Sequence, residues 1–114
     1  MLKNPRIIFL GTPEFAVAPL SHLQKKGYDV VAVVTAPDKP AGRGKKLNAP
    51  PVKKYAEQND IKVFQPPKLK DEEFLEGVRK LKPDIQVVVA FRMMPRDLWS
   101  IPLRGTFNLH ASLL

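Results

Sequence analysis

Cysteine is absent from the chain, and histidine nearly so, His22 and His110 being the only two. The first absence excludes a disulfide framework and thiolate chemistry. The second leaves too few ligands for a closed zinc site, so no metal is expected. Long apolar runs are missing too: none approaches the roughly 18 uncharged residues that a membrane-spanning helix needs, and no membrane association is expected. Lys3 and Arg6 stand near the start, but no apolar core with a small-residue cleavage site follows, so a secretory signal is not read and a cytoplasmic address is expected. What is present, 44% apolar and 26% charged residues over 114 positions, is the balance of one folded domain rather than a disordered tail.

Acidic residues are lacking in one place. Nineteen Lys and Arg against eleven Asp and Glu give a net charge of +8. Lys39, Arg43, Lys45, Lys46, Lys53 and Lys54 lie in a stretch without a single acid, whereas both signs mix from Glu57 to Lys82. Such a concentration reads either as a solvated surface or as a site for an anionic partner. The twelve prolines stand mostly at the borders of apolar runs, where they stop elements without breaking them.

Ile7-Ile8-Phe9-Leu10 ends at Gly11-Thr12-Pro13 and predicts a strand buried on both faces followed by a sharp turn. A helix is expected over Phe15 to Lys26, ended by Gly27; Pro19 requires a late start or a bend. Val30 to Val34 is a second unbroken β-branched run, hence a strand parallel to the first in a βαβ unit. From Ala36 to Lys46 two glycines, two prolines and no bulky apolar residue predict a long mobile loop. A short helix over Val52 to Gln58 and an edge strand over Ile61 to Phe64 come next, stopped by Pro66-Pro67. Asp71 reads as an N-cap, with Glu72, Glu73 and Glu76 in the first turns, Arg79, Lys80 and Lys82 in the last, and Leu75, Val78 and Leu81 facing the core. Ile85 to Ala90 is the most hydrophobic strand, followed by a short helix over Pro95 to Trp99 and a strand over Thr106 to His110.

This order predicts an α/β fold, a Rossmann-like open, mostly parallel sheet with helices on both faces, as a single domain over residues 1–114 without internal repeats. Ligands of such sheets gather at the carboxyl ends of the strands. Four segments lie there: Gly11-Thr12-Pro13, the basic stretch after Thr35, Phe91-Arg92-Met93-Met94, and Asn108 to Leu114.

Gly11-Thr12-Pro13-Glu14 has one glycine where a dinucleotide fold carries three, and Pro13 removes a donor that a pyrophosphate would use, which argues against a nicotinamide cofactor. A tight turn feeding a helix explains the segment equally well. Asn108 and His110, two apart, share one face of a strand. The pair suits acyl transfer, with an amide to donate to an oxyanion and an imidazole to move a proton near pH 7. A hydrogen-bonded histidine at a strand end is the alternative, and the pair alone does not decide. His22, on the first helix, reads as a surface or half-buried residue without a chemical role.

Context decides. Arg6-Ile7-Ile8-Phe9-Leu10-Gly11-Thr12-Pro13-Glu14-Phe15, then Pro37-Asp38-Lys39-Pro40-Ala41-Gly42-Arg43-Gly44-Lys45-Lys46-Leu47, then Phe107-Asn108-Leu109-His110-Ala111-Ser112-Leu113-Leu114 resemble the methionyl-tRNA formyltransferase family in order and spacing. Val63-Phe64-Gln65-Pro66 and Pro83-Asp84-Ile85 fit as well. The last of the long motifs is shared by folate-dependent formyltransferases generally, and the basic one is more specific. The resemblance covers the whole chain and only the first part of that enzyme. It therefore implies a partial catalytic domain, truncated after the folate motif and without the C-terminal tRNA-binding domain.

The resemblance implies transfer of a formyl group from 10-formyltetrahydrofolate, a co-substrate, to the amino group of initiator methionyl-tRNA. In that mechanism Asn108 stabilises the oxyanion, His110 handles the amine's proton, and a later aspartate orients the histidine. Ser112, Leu113 and Leu114 match the folate motif, and Phe91, Met93 and Met94 match the pteridine-pocket segment. Lys39, Arg43, Lys45 and Lys46 become tRNA contacts, phosphate neutralisation by a basic loop being salt-dependent. Arg92 stands where the family commonly has glycine; a solvent-facing or surface-paired side chain is expected there, with an anionic ligand group as the alternative. The alternatives for function are a folate-dependent formyltransferase acting on an amino sugar nucleotide or purine precursor, and a non-enzymatic RNA-binding module. The 114 residues alone are expected to be inactive and to self-associate through truncated surface.

Overall fold

The computed structural model of the chain describes residues 4–41 and 46–109. Strand β1 (Arg6–Gly11) carries the first apolar run, and its residues alternate between two separate cores. Ile8 and Leu10 point to one side and Phe9 to the other, all three fully buried. Burial on both faces is the physical reason that polar residues do not interrupt the run. β2 (Asp29–Val34) and β6 (Ile85–Val89) flank β1, and both pair with it in parallel. β5 (Lys62–Phe64) adds one edge and β7 (Thr106–Leu109) the other, giving the order β5-β2-β1-β6-β7 with every pair parallel. The expected open parallel sheet is thus observed.

Helices cover both faces. α1 (Val17–Lys25) and α2 (Pro51–Gln58) bury Leu20, Val52 and Ala56 against Phe9, Val33 and Val89. α3 (Glu72–Lys80) and the short α4 (Arg96–Trp99) bury Phe74, Leu75, Val78 and Leu98 against Ile8, Leu10, Val34 and Val88. Each such aliphatic or aromatic side chain withdrawn from water stabilises the fold by about 1.5–3 kcal/mol. Pro19 is accommodated by a late start: a 3-10 turn (Glu14–Ala16) precedes α1, and Pro19 falls in the first helical turn, where no intrahelical donor is required. The carboxylate of Asp71 accepts the Phe74 N–H at 3.1 Å, the expected N-cap. No helix of the described residues is long and apolar enough to cross a membrane.

The amino-terminal edge of the sheet is tied by Asp84. Its carboxylate accepts the Arg6 N–H at 2.8 Å and its own N–H donates to Arg6 O at 2.8 Å, locking β6 to β1 before the ladder begins. Arg6 Nε adds a bond to Leu81 O at 2.7 Å.

The basic stretch departs from expectation. In place of a long mobile loop, β3 (Lys39–Ala41) and β4 (Lys46–Asn48) form an antiparallel ribbon separate from the main sheet, with Lys39 opposite Asn48 and Pro40 opposite Leu47. Proline is tolerated because a two-stranded ribbon leaves one edge of each strand unpaired.

Ala90, just past β6, adopts a φ of +48°, a left-handed conformation costing a residue with a Cβ about 1 kcal/mol or more. It is exposed, so no packing is lost with its methyl group. Ala90→Gly is expected to raise stability by up to about 1 kcal/mol in chemical denaturation. An unfolding midpoint shifted downward would mean that the conformation is not strained.

Candidate active site at the carboxyl ends of the strands

Chain order reverses between β1 and β6, whose carboxyl ends meet at Gly11 opposite Val89. A crevice at such a reversal is where open α/β sheets take ligands. Gly11 is required there by close approach: a Cβ would sit 3.0 Å from Ala16 Cβ and from the Phe9 ring, and 3.1 Å from Val89 O. The single glycine of the first turn therefore serves packing, in keeping with the tight-turn reading of Gly11-Thr12-Pro13.

Thr12 links this turn to the next strand end. Its Oγ1 accepts the Ala36 N–H at 3.2 Å and the hydroxyl of fully buried Thr35 at 3.3 Å. The residues that follow are tied from two more directions. Gln65 Nε2 donates to Ala36 O at 3.0 Å and to Asp38 Oδ1 at 2.6 Å. Lys53 Nζ, from α2, reaches Asp38 Oδ1 at 3.1 Å and Oδ2 at 3.0 Å. The Gln65 amide, then the Lys53 ammonium, hold the Asp38 carboxyl below its ordinary value of 3.8, against the opposing effect of burial. A carboxyl lowered in this way stabilises the fold above its unfolded pKa and loses that contribution as pH falls through the lower folded value. The root of the ribbon is therefore expected to stay fixed from neutrality down to the ordinary carboxyl value of 3.8 and to loosen only in stronger acid, as amide exchange of residues 35–38 against pH would show.

Asn108 lies in β7 opposite Val88, hence on the face of Leu10 and Val88, and is exposed. Its partner in the sequence reading, His110, lies outside the described residues, as do Ser112, Leu113, Leu114, Arg43 and Lys45. Lys39 is exposed on β3; of Lys46 only the backbone is described, in β4. Phe91 and Met94 are half-buried and pack against the α3–α4 core, while Met93 is almost fully exposed. Met93 and Met94 also line an open cavity of about 540 Å³ with Lys68, Leu69, Arg92 and Pro95. The structure thus brings two residues of the predicted folate segment to one cavity and turns the third, Phe91, toward the core.

Arg92 is exposed, as expected, and pairs with no acid among the described residues. Its guanidinium donates to Pro66 O at 2.9 Å and Pro67 O at 3.1 Å, and lies 5.1 Å from the Phe91 ring centre. Burial lowers its pKa. The planar fork suits two adjacent carbonyls, and Arg92 forms part of the cavity wall.

Sequence reasoning missed Thr12, Asp38, Lys53 and Gln65 as a connected group. The signal was present only in part: Asp38 and Gln65 lie inside motifs that carried the resemblance, but nothing local reveals that residues 27 positions apart touch.

Residues 5–114 match the formyl transferase family. The methionyl-tRNA formyltransferase of Bacteroides fragilis is 57% identical over 112 residues, covering 98% of this chain and 35% of that protein. Those of Flavobacterium johnsoniae and Ruminiclostridium cellulolyticum are 57% identical over 113 residues and 53% over 110, covering 99% and 96% of this chain against 36% and 35% of theirs. The chain therefore spans about a third of the length of these curated relatives. With its parallel sheet, its turn at Gly11 and a match running from residue 5 to residue 114, the chain belongs to the formyl transferase family.

Proposed function

We propose that the protein carrying this chain transfers a formyl group from 10-formyltetrahydrofolate to the amino group of initiator methionyl-tRNA. The observation that carries the reading is the exposed amide of Asn108 at the carboxyl end of β7, in a sheet that also roots the basic ribbon at the carboxyl end of β2. The names of the relatives add the acceptor. The cavity beside Met93 and Met94 fits a folate-derived donor: Leu69, Met94 and Pro95 offer apolar surface to a flat ring, and Lys68, Lys70 and Arg92 place cations around an anionic tail.

When bound, the folate supplies a formyl carbon attached to nitrogen. As the acceptor's neutral amine forms its bond to that carbon, negative charge builds on the formyl oxygen, and the Asn108 amide N–H donates to it. His110 takes the proton that the new C–N bond releases and returns one to the departing nitrogen, so charge and protons balance when the old C–N bond breaks. Ser112, Leu113 and Leu114 belong to the donor side of the site. Lys39, Arg43, Lys45 and Lys46 neutralise tRNA phosphates, and Arg43 presents a fork to phosphate or base edge. Translation initiation in the cytoplasm is the setting that this chemistry implies.

The reading is tested by separating the two groups of residues. In the full-length protein, Arg43→Ala is expected to raise KM for methionyl-tRNA by about tenfold and to flatten its salt dependence by about one phosphate contact, with KM for the folate unchanged. Loss of folate binding with tRNA affinity intact would assign the ribbon to the donor instead. An amino sugar nucleotide as acceptor is disfavoured by the acid-free basic stretch from Lys39 to Lys46, which a polyanionic acceptor explains better.

A further inference from the structure

The ribbon β3–β4 stands outside the five-stranded sheet, so its direction is set where it leaves the sheet. That root, residues 35–38, is held from three elements: by Thr12 after β1, by Gln65 after β5 and by Lys53 on α2. Asp38 is the point on which the last two converge. Oδ1 accepts from both Gln65 and Lys53, and Oδ2 accepts from Lys53. Both side chains of the ion pair are about four-fifths covered, Lys53 19% and Asp38 22% exposed.

Charge alone does not explain Asp38. It is the one acid bordering a stretch that carries none up to Lys54, and an acid beside phosphate-binding cations weakens their field. Lys53 is likewise withdrawn from that stretch, its ammonium being engaged by Asp38. Geometry explains both. The end of β3, three residues beyond Asp38, lies roughly 10 Å away along an extended strand, so a tilt of about 20° at the root moves it by about 3 Å. A displacement of that size breaks a charge-assisted hydrogen bond to a phosphate.

We infer that Asp38, clamped by Lys53 and Gln65, is a positioning residue that fixes the direction in which the β3–β4 ribbon presents Lys39 and its neighbours to RNA. The inference rests on the proposed reading of the ribbon as the tRNA-contacting element. It assigns Lys53 to the clamp rather than to phosphate contact, and it makes Gln65 part of acceptor binding although it follows a different strand.

The test uses the full-length protein with methionyl-tRNA and formyl folate. Asp38→Asn keeps size and an acceptor for Gln65 but abolishes the ion pair. It is expected to raise KM for tRNA about five- to tenfold and to reduce its salt dependence, with KM for the folate unchanged, even though the protein has become more positive. Lys53→Ala should act in the same direction, and Lys53→Arg should recover most of the affinity. Gln65→Met, which spares the ion pair, is expected to cost about threefold and serves if Asp38→Asn folds poorly, as thermal denaturation would reveal. Tighter tRNA binding by Asp38→Asn with a steeper salt dependence would overturn the clamp, because that is the outcome of charge alone. So would unchanged tRNA use in Asp38→Asn and Gln65→Met alongside weakened use in Arg43→Ala, which would leave the ribbon's role standing. If Arg43→Ala and Asp38→Asn are both without effect, the ribbon does not meet RNA and both readings fall.

Discussion

Replacing Asn108 by alanine is expected to lower kcat by on the order of 10²–10³, the loss of about 3 kcal/mol of barrier stabilisation that follows removal of one oxyanion donor. The amide donates to an oxygen whose charge grows only as the amine adds, so the loss falls on kcat, and KM for either substrate is expected to change little. Stability should hardly move. Asn108 is exposed, and the ladder between β7 and β6 runs through backbone groups that the substitution leaves in place. Asn108→Asp is expected to be at least as damaging, because it sets a negative charge against the developing one. Steady-state kinetics with saturating methionyl-tRNA and formyl folate, alongside thermal denaturation, make the test. A kcat within threefold of the parent's would remove Asn108 from the chemistry.

A polypeptide of these 114 residues alone is expected to transfer formyl at a rate at least about 10⁴ below that of the full-length protein, the scale on which a histidine depends on its orienting carboxylate. The resemblance places that carboxylate later in the longer relatives, of which this chain spans about a third. The edge of the sheet gives a second reason. Phe107 and Leu109 pair with Val87 and Val89 and so lie on the α1–α2 side, yet they are 54% and 47% exposed. Two large exposed apolar side chains on the strand that forms the sheet's edge among the described residues favour association, so dimers or larger species are expected. Single-turnover assays beside the full-length protein, with sedimentation of the 114-residue chain, test both statements. Near-parental turnover by a monomer would refute them together.

The regular part of the fold was legible because burial on two faces writes itself into sequence as apolar runs, unbroken at Ile7 to Leu10 and Val30 to Val34 and interrupted only by buried Gln86 between Ile85 and Ala90. Asp71 was legible because an N-cap is a local event, its carboxylate reaching a donor three residues on. The ribbon was not. Lys39–Ala41 and Lys46–Asn48 pair through backbone register without an apolar face, and Pro40 inside one strand reads as a loop signal. Phe74 escaped the expected core because acids surround it, although it sits one turn before Val78 on the buried side of α3.

At the candidate site, the residue types legible in advance were those whose chemistry is unusual for their surroundings: an amide and an imidazole two apart, and cations without acids. What stayed hidden depends on contacts between distant positions. Arg92 is exposed, as expected from neighbours in sequence that offer it nothing, but its partners, the carbonyls of Pro66 and Pro67, lie 26 and 25 residues away. The left-handed Ala90 left no trace either, since alanine gives no hint of a φ that glycine or asparagine would have advertised.

The most direct measurement of the central claim is formyl transfer by the purified full-length protein from labelled 10-formyltetrahydrofolate, offered initiator methionyl-tRNA and an amino sugar nucleotide in the same reaction. Label is expected to appear on the methionine amino group of the tRNA, to depend on Asn108 and His110, and to fall as salt rises. Label on the sugar amine with the tRNA left unmodified would contradict the account.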